Sequence, residues 1–390
     1  MRMAFLIILF SMGKSDLDID INVKERNSNV ELMRIICIIC ITLYHIAVHG
    51  VEAYNSITIN KILIDLLSQF GKAAVNVFFL IAGYYGVKQS FRSKKPLMIE
   101  LQTLLYGIGG YFLYSFYYKN FNNWENAFFP LLTNSYWFIT AYFLLLFLAP
   151  FINCLIIHLS KKEFVSFSII LLSFWCFFPN ITLSLGSLFF WNQFLFAIIM
   201  YILGGGIRLF CINLKNNNII FLVNLLLLLG ICIIFNLLSI NNNCYLKYCT
   251  FFRWSNSLFV VPLSITFFQI FVNKEIFYSK NINYISGATF SVFLIQEHYL
   301  LRSVLWRKVL KLNYFQNEWW FVFYTFFCVV IVFILGLVAF FIWKNIFLRR
   351  TKKIIEKVTT KIDLFLIKKL PVPGLSGGRD ENSIIHSNKT

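Results

Sequence analysis

Apolar stretches long enough to cross a bilayer, separated by short polar breaks, run along most of this chain. They fall at 31–50, 71–88, 97–118, 128–153, 163–178, 187–208, 218–239, 254–273, 284–303 and 319–343. A helix needs about 20 apolar residues to span, so the pattern predicts an all-α, polytopic integral membrane protein with about ten transmembrane helices. The breaks between spans leave no room for a separate soluble domain, and no internal repeat divides the chain into matching halves. The transmembrane unit is expected over residues 29–346, after a cytoplasmic N-terminal segment, residues 1–28. The apolar run within residues 1–13 is too short to span and is read as an over-long start, with Met12 the initiator. From Phe347 to Phe365, apolar positions recur at helical spacing among Arg349, Arg350, Lys352, Lys353, Lys357 and Lys361. That pattern predicts a basic amphipathic helix over 347–370, lying on an anionic leaflet. Residues 371–390 have the composition of a disordered tail.

Composition supports the bilayer as solvent: 59% of residues are hydrophobic, only 13% are charged, and 46 are Phe. The formal charge of +18 would suggest nucleic acid in a soluble protein. Here the basic residues punctuate apolar runs and form no aromatic-interleaved groove, so nucleic acid is excluded as a partner. Most Lys and Arg fall on one side if the first span enters from the cytoplasm, which places both termini there. The cluster Arg302, Arg307, Lys308 and Lys311 violates this rule and calls for another explanation, such as a ligand.

The first span, VELMRIICIICITLYHIAVHG from Val30 to Gly50, carries the chain's most informative polar residues. Eleven residues separate Arg34 from His45, a rotation of about 1100° that leaves roughly 20° between them and a rise of roughly 16 Å. Glu31 and His49 share that face. Ionisable side chains inside a membrane helix are expensive, so this stripe must line a protein interior. Cys37 and Cys40 lie in the same helix without a second ligand pair and are read as small buried apolar residues; no metal is expected. Cys244 and Cys249 share an outer loop, where pairing is open to them.

Four segments resemble the membrane-bound acyltransferase-3 family, especially its cell-surface polysaccharide O-acetyltransferase branch. The first is NVELMR, Asn29–Arg34, followed by His45, which is similar to the family's arginine, ten residues, histidine pattern. AVNVFFLIAGYYGV (74–87) resembles its V-x-x-FF-x-x-SGY segment. SYWFITAYFLLLFLAPFIN (135–153) and TFSVFLIQEHYLLRSVLW (289–306) resemble two further segments, in the family's order. The chain departs from the pattern at Ala82, where Ser is common, at Asn76 for Asp, at Phe293 for Tyr, and at Gln296 for His. His298 lies two residues beyond Gln296, about 200° around a helix, so it cannot simply replace that histidine.

The resemblance implies acetyl-CoA as acyl donor and a glycan hydroxyl as acceptor, on a surface or lipid-linked glycan. Asn-, Ile-, Lys- and Phe-rich usage suggests a bacterial source, so a bacterial plasma membrane is expected. Acyl transfer needs a base for the hydroxyl proton and stabilisation of an oxyanion. His45 is the natural base. Arg34 suits the donor's phosphates or a balancing carboxylate such as Glu31. The alternative is an interfacial Glu31–Arg34 ion pair, with His45 bonded to a neighbouring helix. Arg92, with Lys94 and Lys95, is either a phosphate patch or a positive-inside anchor. Trp137 and Tyr142 either stack on a sugar or belong to the aromatic belt. Glu297, His298 and Arg302 are candidates to hold an anionic or lipid-linked glycan. The rival function is a transporter, flippase or polymerase for lipid-linked oligosaccharide, with the charged stripe as its pathway.

Overall fold

The computed structural model describes residues 26–54, 56–183 and 193–369. Within them the chain is helical, with no strand. The expectations for residues 1–13 and for the tail fall outside the described residues. Among the described residues, six helical stretches are long and apolar enough to cross a membrane: Ser28–Gly50, Ile59–Gly86, Trp137–His158, Lys161–Ile181, Asn217–Asn241 and Phe321–Leu366. Gln193–Leu209 and Val260–Val272 are shorter apolar helices.

Helix α1, Ser28–His45, starts where the Asn27 side chain accepts a hydrogen bond from the Asn29 N–H at 3.0 Å. The next residues tie it to a distant part of the chain: Ser28 Oγ donates to Asn283 Oδ1 and Asn29 Nδ2 to the Glu275 carbonyl. At His45 the α-helix gives way to a π-helical turn, Ile46–Gly50. Such π segments often occur at functional sites.

The loop expected after the first span contains a helix of its own, α2, Ile59–Ser68, capped by Thr58. It runs almost directly into α3, Gly71–Gly86. Both α1 and Gln193–Leu209 (α7) pack against α3. The α3–α7 approach is backbone to backbone: a Cβ on Gly83 would sit 1.9 Å from the Tyr201 carbonyl oxygen, and one on Gly204 2.2 Å from that of Leu80. Small residues at a helix crossing allow this close packing where lipid supplies no hydrophobic drive.

Lys94–Tyr118 (α4), Trp137–His158 (α5), Lys161–Leu172 (α6) and Asn217–Asn241 (α8) add further helices, and the largely buried Val260–Val272 (α9) packs between α3 and α8. The stretch expected as one span over 284–303 is instead broken. It consists of α10, Lys280–Gly287, α11, Thr289–Gln296, and a turn from Glu297 that leads into further short helical pieces. His298 explains the break. Its Nδ1 accepts the N–H groups of Leu300 and Leu301, each at 3.3 Å, as a cap would, and so starts a new turn instead of continuing the old one.

Helix α12, Phe321–Ile342, packs on α11, where Gly336 lies against Val292. It continues through a π-helical stretch into α13, Arg349–Lys369. This basic helix docks on the start of α4: the Ser93 N–H donates to Asp363 Oδ1 at 2.9 Å and Lys94 Nζ lies 3.4 Å from Glu356. All nine cysteines are free thiols, so Cys244 and Cys249 are unpaired.

Candidate active site

Two elements far apart in sequence meet at the end of α1. His45 is its last α-helical residue, and Glu297 is the residue at which α11 stops. Both are buried. Glu297 Oε1 lies 3.1 Å from His45 Nε2 and 3.0 Å from His49 Nε2, while Oε2 receives Arg302 Nη1 at 3.1 Å. A carboxylate withdrawn from water needs this compensation, since an unpaired buried charge destabilises strongly. Both imidazoles approach Oε1 off the line of a straight hydrogen bond. A carboxylate facing Nε2 favours the tautomer with its proton there, which would leave His45 Nδ1 to accept. Nδ1 is buried and has no hydrogen-bond partner. Gln296 is fully buried beside His45, close enough for its amide and the imidazole to bond, although neither end of the amide meets a partner in good hydrogen-bonding geometry.

Arg34 sits at the other end of the helix face. Its Nη1 lies 3.0 Å from Glu31 Oε2, which also accepts a short hydrogen bond from the Ser286 hydroxyl. The guanidinium remains partly exposed, with donors to spare. Glu31 and Arg34 are therefore neighbours of each other, roughly 21 Å and 16 Å of helix rise from His45.

The remaining candidates separate into groups. Arg92 is exposed. Lys95 Nζ lies 5.3 Å from the centre of the Tyr142 ring, which links Tyr142 to the basic patch. Trp137 is not with it; its ring faces Lys72 Nζ at 5.3 Å. Between the groups runs a ladder of rings, from His45 to Phe293 at 6.4 Å, to Phe138 at 5.4 Å and to Tyr142 at 6.3 Å. His298 is engaged at both nitrogens, because Nδ1 caps the following turn and Nε2 donates to the Gly107 carbonyl at 3.1 Å. Gly110 leaves room for this ring: a Cβ there would stand 2.3 Å from Nε2.

The anomalous basic cluster now has partners. Arg302 neutralises Glu297, Arg307 Nε donates to the His49 carbonyl at 3.0 Å, and Lys308 lies over the Tyr118 ring at 4.6 Å. It braces the histidine–carboxylate group. His45, His49 and Glu297 also have the donor types of a divalent-metal site, with ligand atoms all within 4.8 Å of one another. Arg302 already sets a positive charge on the same carboxylate, which favours proton handling there over a second cation. Sequence reasoning put His49 on the right helix face but gave it no role. It also missed Lys72 and the pairing of Glu297 with His45, which no local spacing signals.

A membrane-embedded helical bundle with a buried histidine–carboxylate pair, and a free imidazole nitrogen facing the interior, has the makings of a proton-transfer enzyme. The chain belongs to the membrane-bound acyltransferase-3 family: the family's acyltransferase domain matches residues 27–338, which contain every group of the site. No curated protein and no solved structure matched the chain.

Proposed function

We propose that the chain is an O-acetyltransferase of the bacterial plasma membrane. It would take acetyl from cytoplasmic acetyl-CoA and place it on a hydroxyl of a surface or lipid-linked glycan. The observation that carries this reading is the buried pair His45–Glu297: a carboxylate beside Nε2 favours the tautomer with its proton there, which leaves Nδ1 to accept. His45 Nδ1 takes the proton of the acceptor hydroxyl as that oxygen attacks the thioester carbonyl. The tetrahedral intermediate then expels the CoA thiolate, which receives the proton from Nδ1. The products are the acetyl ester and CoA–SH, and His45 returns to its starting state. Glu297 stabilises the transient imidazolium and holds the ring, as carboxylates do in other histidine-based catalysts. The Gln296 amide supplies a buried donor for the developing oxyanion.

The donor's phosphates suit Arg34 and the exposed Arg92 near Lys95, with the thioester arm reaching inward along the ring ladder. Glycan mass spectrometry of a strain lacking the gene tests the reading. Acetyl increments should disappear from one surface glycan and return when the wild-type gene is restored. Unchanged glycan acetylation would contradict the proposal.

A further inference from the structure

Lys72 opens α3 beside the first helix; the Gly71 Cα is so close to Tyr44 that a Cβ would meet that side chain at 2.3 Å. Its ammonium stands among three aromatic faces, 5.1 Å from the centre of Tyr44, 5.3 Å from Trp137 and 6.0 Å from Trp254. On the other side, the Arg253 guanidinium lies 5.1 Å from the same Tyr44 ring and donates to Ser68 Oγ at 2.7 Å. Tyr44 in turn touches the catalytic candidate, with its ring 5.8 Å from that of His45.

Nearby carboxylates are already matched: Glu297 by Arg302, and Asp65 by Lys61 at 2.7 Å. Among the described residues, neither Lys72 nor Arg253 forms an ion pair. Two cations in a largely apolar bundle without a counter-charge are costly, and aromatic faces compensate them only in part. Trp137 also lines a water-sized cavity of about 10 Å³ with Asn76, Gln193, Ser255 and apolar residues, where Asn76 Nδ2 donates to the Ser255 carbonyl at 2.8 Å. Flat aromatic surfaces, small polar groups and an unmatched positive charge together fit a sugar that carries a negative charge.

We propose that Lys72 and Arg253 form the anion-recognising part of the acceptor site, so that the acceptor is an acidic saccharide, bearing a carboxylate or a phosphodiester. This inference rests on the acetyl-transfer reading. Lys72 and Arg253 hold the acidic group, Trp137 and Trp254 flank the ring, and the hydroxyl to be acetylated faces His45. Arg34, which suits the donor, is at the opposite end of α1, so the two anionic substrates meet different cations.

Equilibrium binding to the purified full chain in detergent tests the inference without any acyl transfer. The probes are a hyaluronan tetrasaccharide and tetragalacturonic acid, each paired with its carboxyl-reduced counterpart, and a phosphodiester-linked disaccharide paired with its neutral methyl phosphotriester. At least one acidic probe should bind about ten- to a hundredfold more tightly than its neutral partner, the range for a hydrogen bond to a charged group. Lys72→Gln and Arg253→Gln should each bring that ratio towards one, Lys72→Arg should retain part of it, and Lys247→Gln, at an exposed lysine elsewhere, should keep it. Equal binding within every pair would overturn the inference, as would a preference untouched by both Gln variants. A loss of acetyl-CoA affinity in Lys72→Gln with the saccharide ratio intact would assign these cations to the donor and also overturn it. Failure of the acetyl-transfer reading is seen separately, as unchanged glycan acetylation in the deletion strain.

Discussion

At the scale of single residues, the account depends on which nitrogen of His45 is free. Glu297 occupies the Nε2 side and nothing bonds to Nδ1. Glu297→Gln keeps the shape but removes the charge that stabilises the imidazolium. It is expected to lower turnover by about 10²–10⁴-fold, with the KM for acetyl-CoA nearly unchanged, because the residue is remote from the donor's phosphates. Steady-state kinetics in proteoliposomes checks this split; a changed KM with normal turnover would assign Glu297 to substrate binding. Arg34 should behave in the opposite way. Arg34→Ala is expected to raise the KM for acetyl-CoA by about tenfold or more, and Arg34→Lys to restore only part of it, since an ammonium cannot reproduce the planar fork of donors. An unchanged KM in Arg34→Ala would make its contact with Glu31 purely structural.

At the scale of elements, much of the helical pattern was legible in the sequence and the breaks were not. The stripe of Glu31, Arg34 and His45 follows from helical rotation alone, and all three lie on α1, while His49 falls in the π-helical turn that follows. The segment over 284–303 is apolar enough to be taken for a single span. It stops at Gln296 because the His298 ring captures two backbone N–H groups, a contact that hydropathy does not register. Helix α2 was missed for a related reason, since a ten-residue amphipathic helix is too short to stand out among spans. Gly83 and Gly204 mark where α3 and α7 touch through their backbones. Gly83→Val should therefore strip the protein of its detergent-stable fold, whereas Gly109→Ala, at an exposed glycine with nothing within 4 Å, should be tolerated or add about 0.5–1 kcal/mol. Thermal unfolding in detergent checks both; a Gly83→Val protein as stable as wild type would mean that α3 and α7 are not packed in this way.

At the scale of the whole molecule, sequence alone offered His45 a helix face and chemistry offered it a task, but its partner came from 252 residues further along the chain. Only folding joins such positions, which is why Glu297 could be named as a candidate without its role. The distribution of basic residues predicts that the Lys88–Lys95 loop is cytoplasmic and the Cys244–Arg253 stretch outside. Ser93 is buried under α13 and makes a poor reporter of this arrangement, whereas Ser90 and Asn243 are exposed. Single cysteines at Ser90 and Asn243, with the native cysteines replaced, should be distinguished by an impermeant thiol reagent on intact cells. Labelling is expected at position 243 only, and at 90 once the membrane is opened. The reverse pattern would turn Arg34 and Arg92 away from cytoplasmic acetyl-CoA.

The most direct test of the central claim is the rate of acetyl transfer from labelled acetyl-CoA to glycan by His45→Ala protein, purified and shown to be folded by its thermal transition. Loss of the general base predicts a fall of about 10²–10⁴-fold relative to wild type. Transfer at close to the wild-type rate by the folded variant would contradict the account.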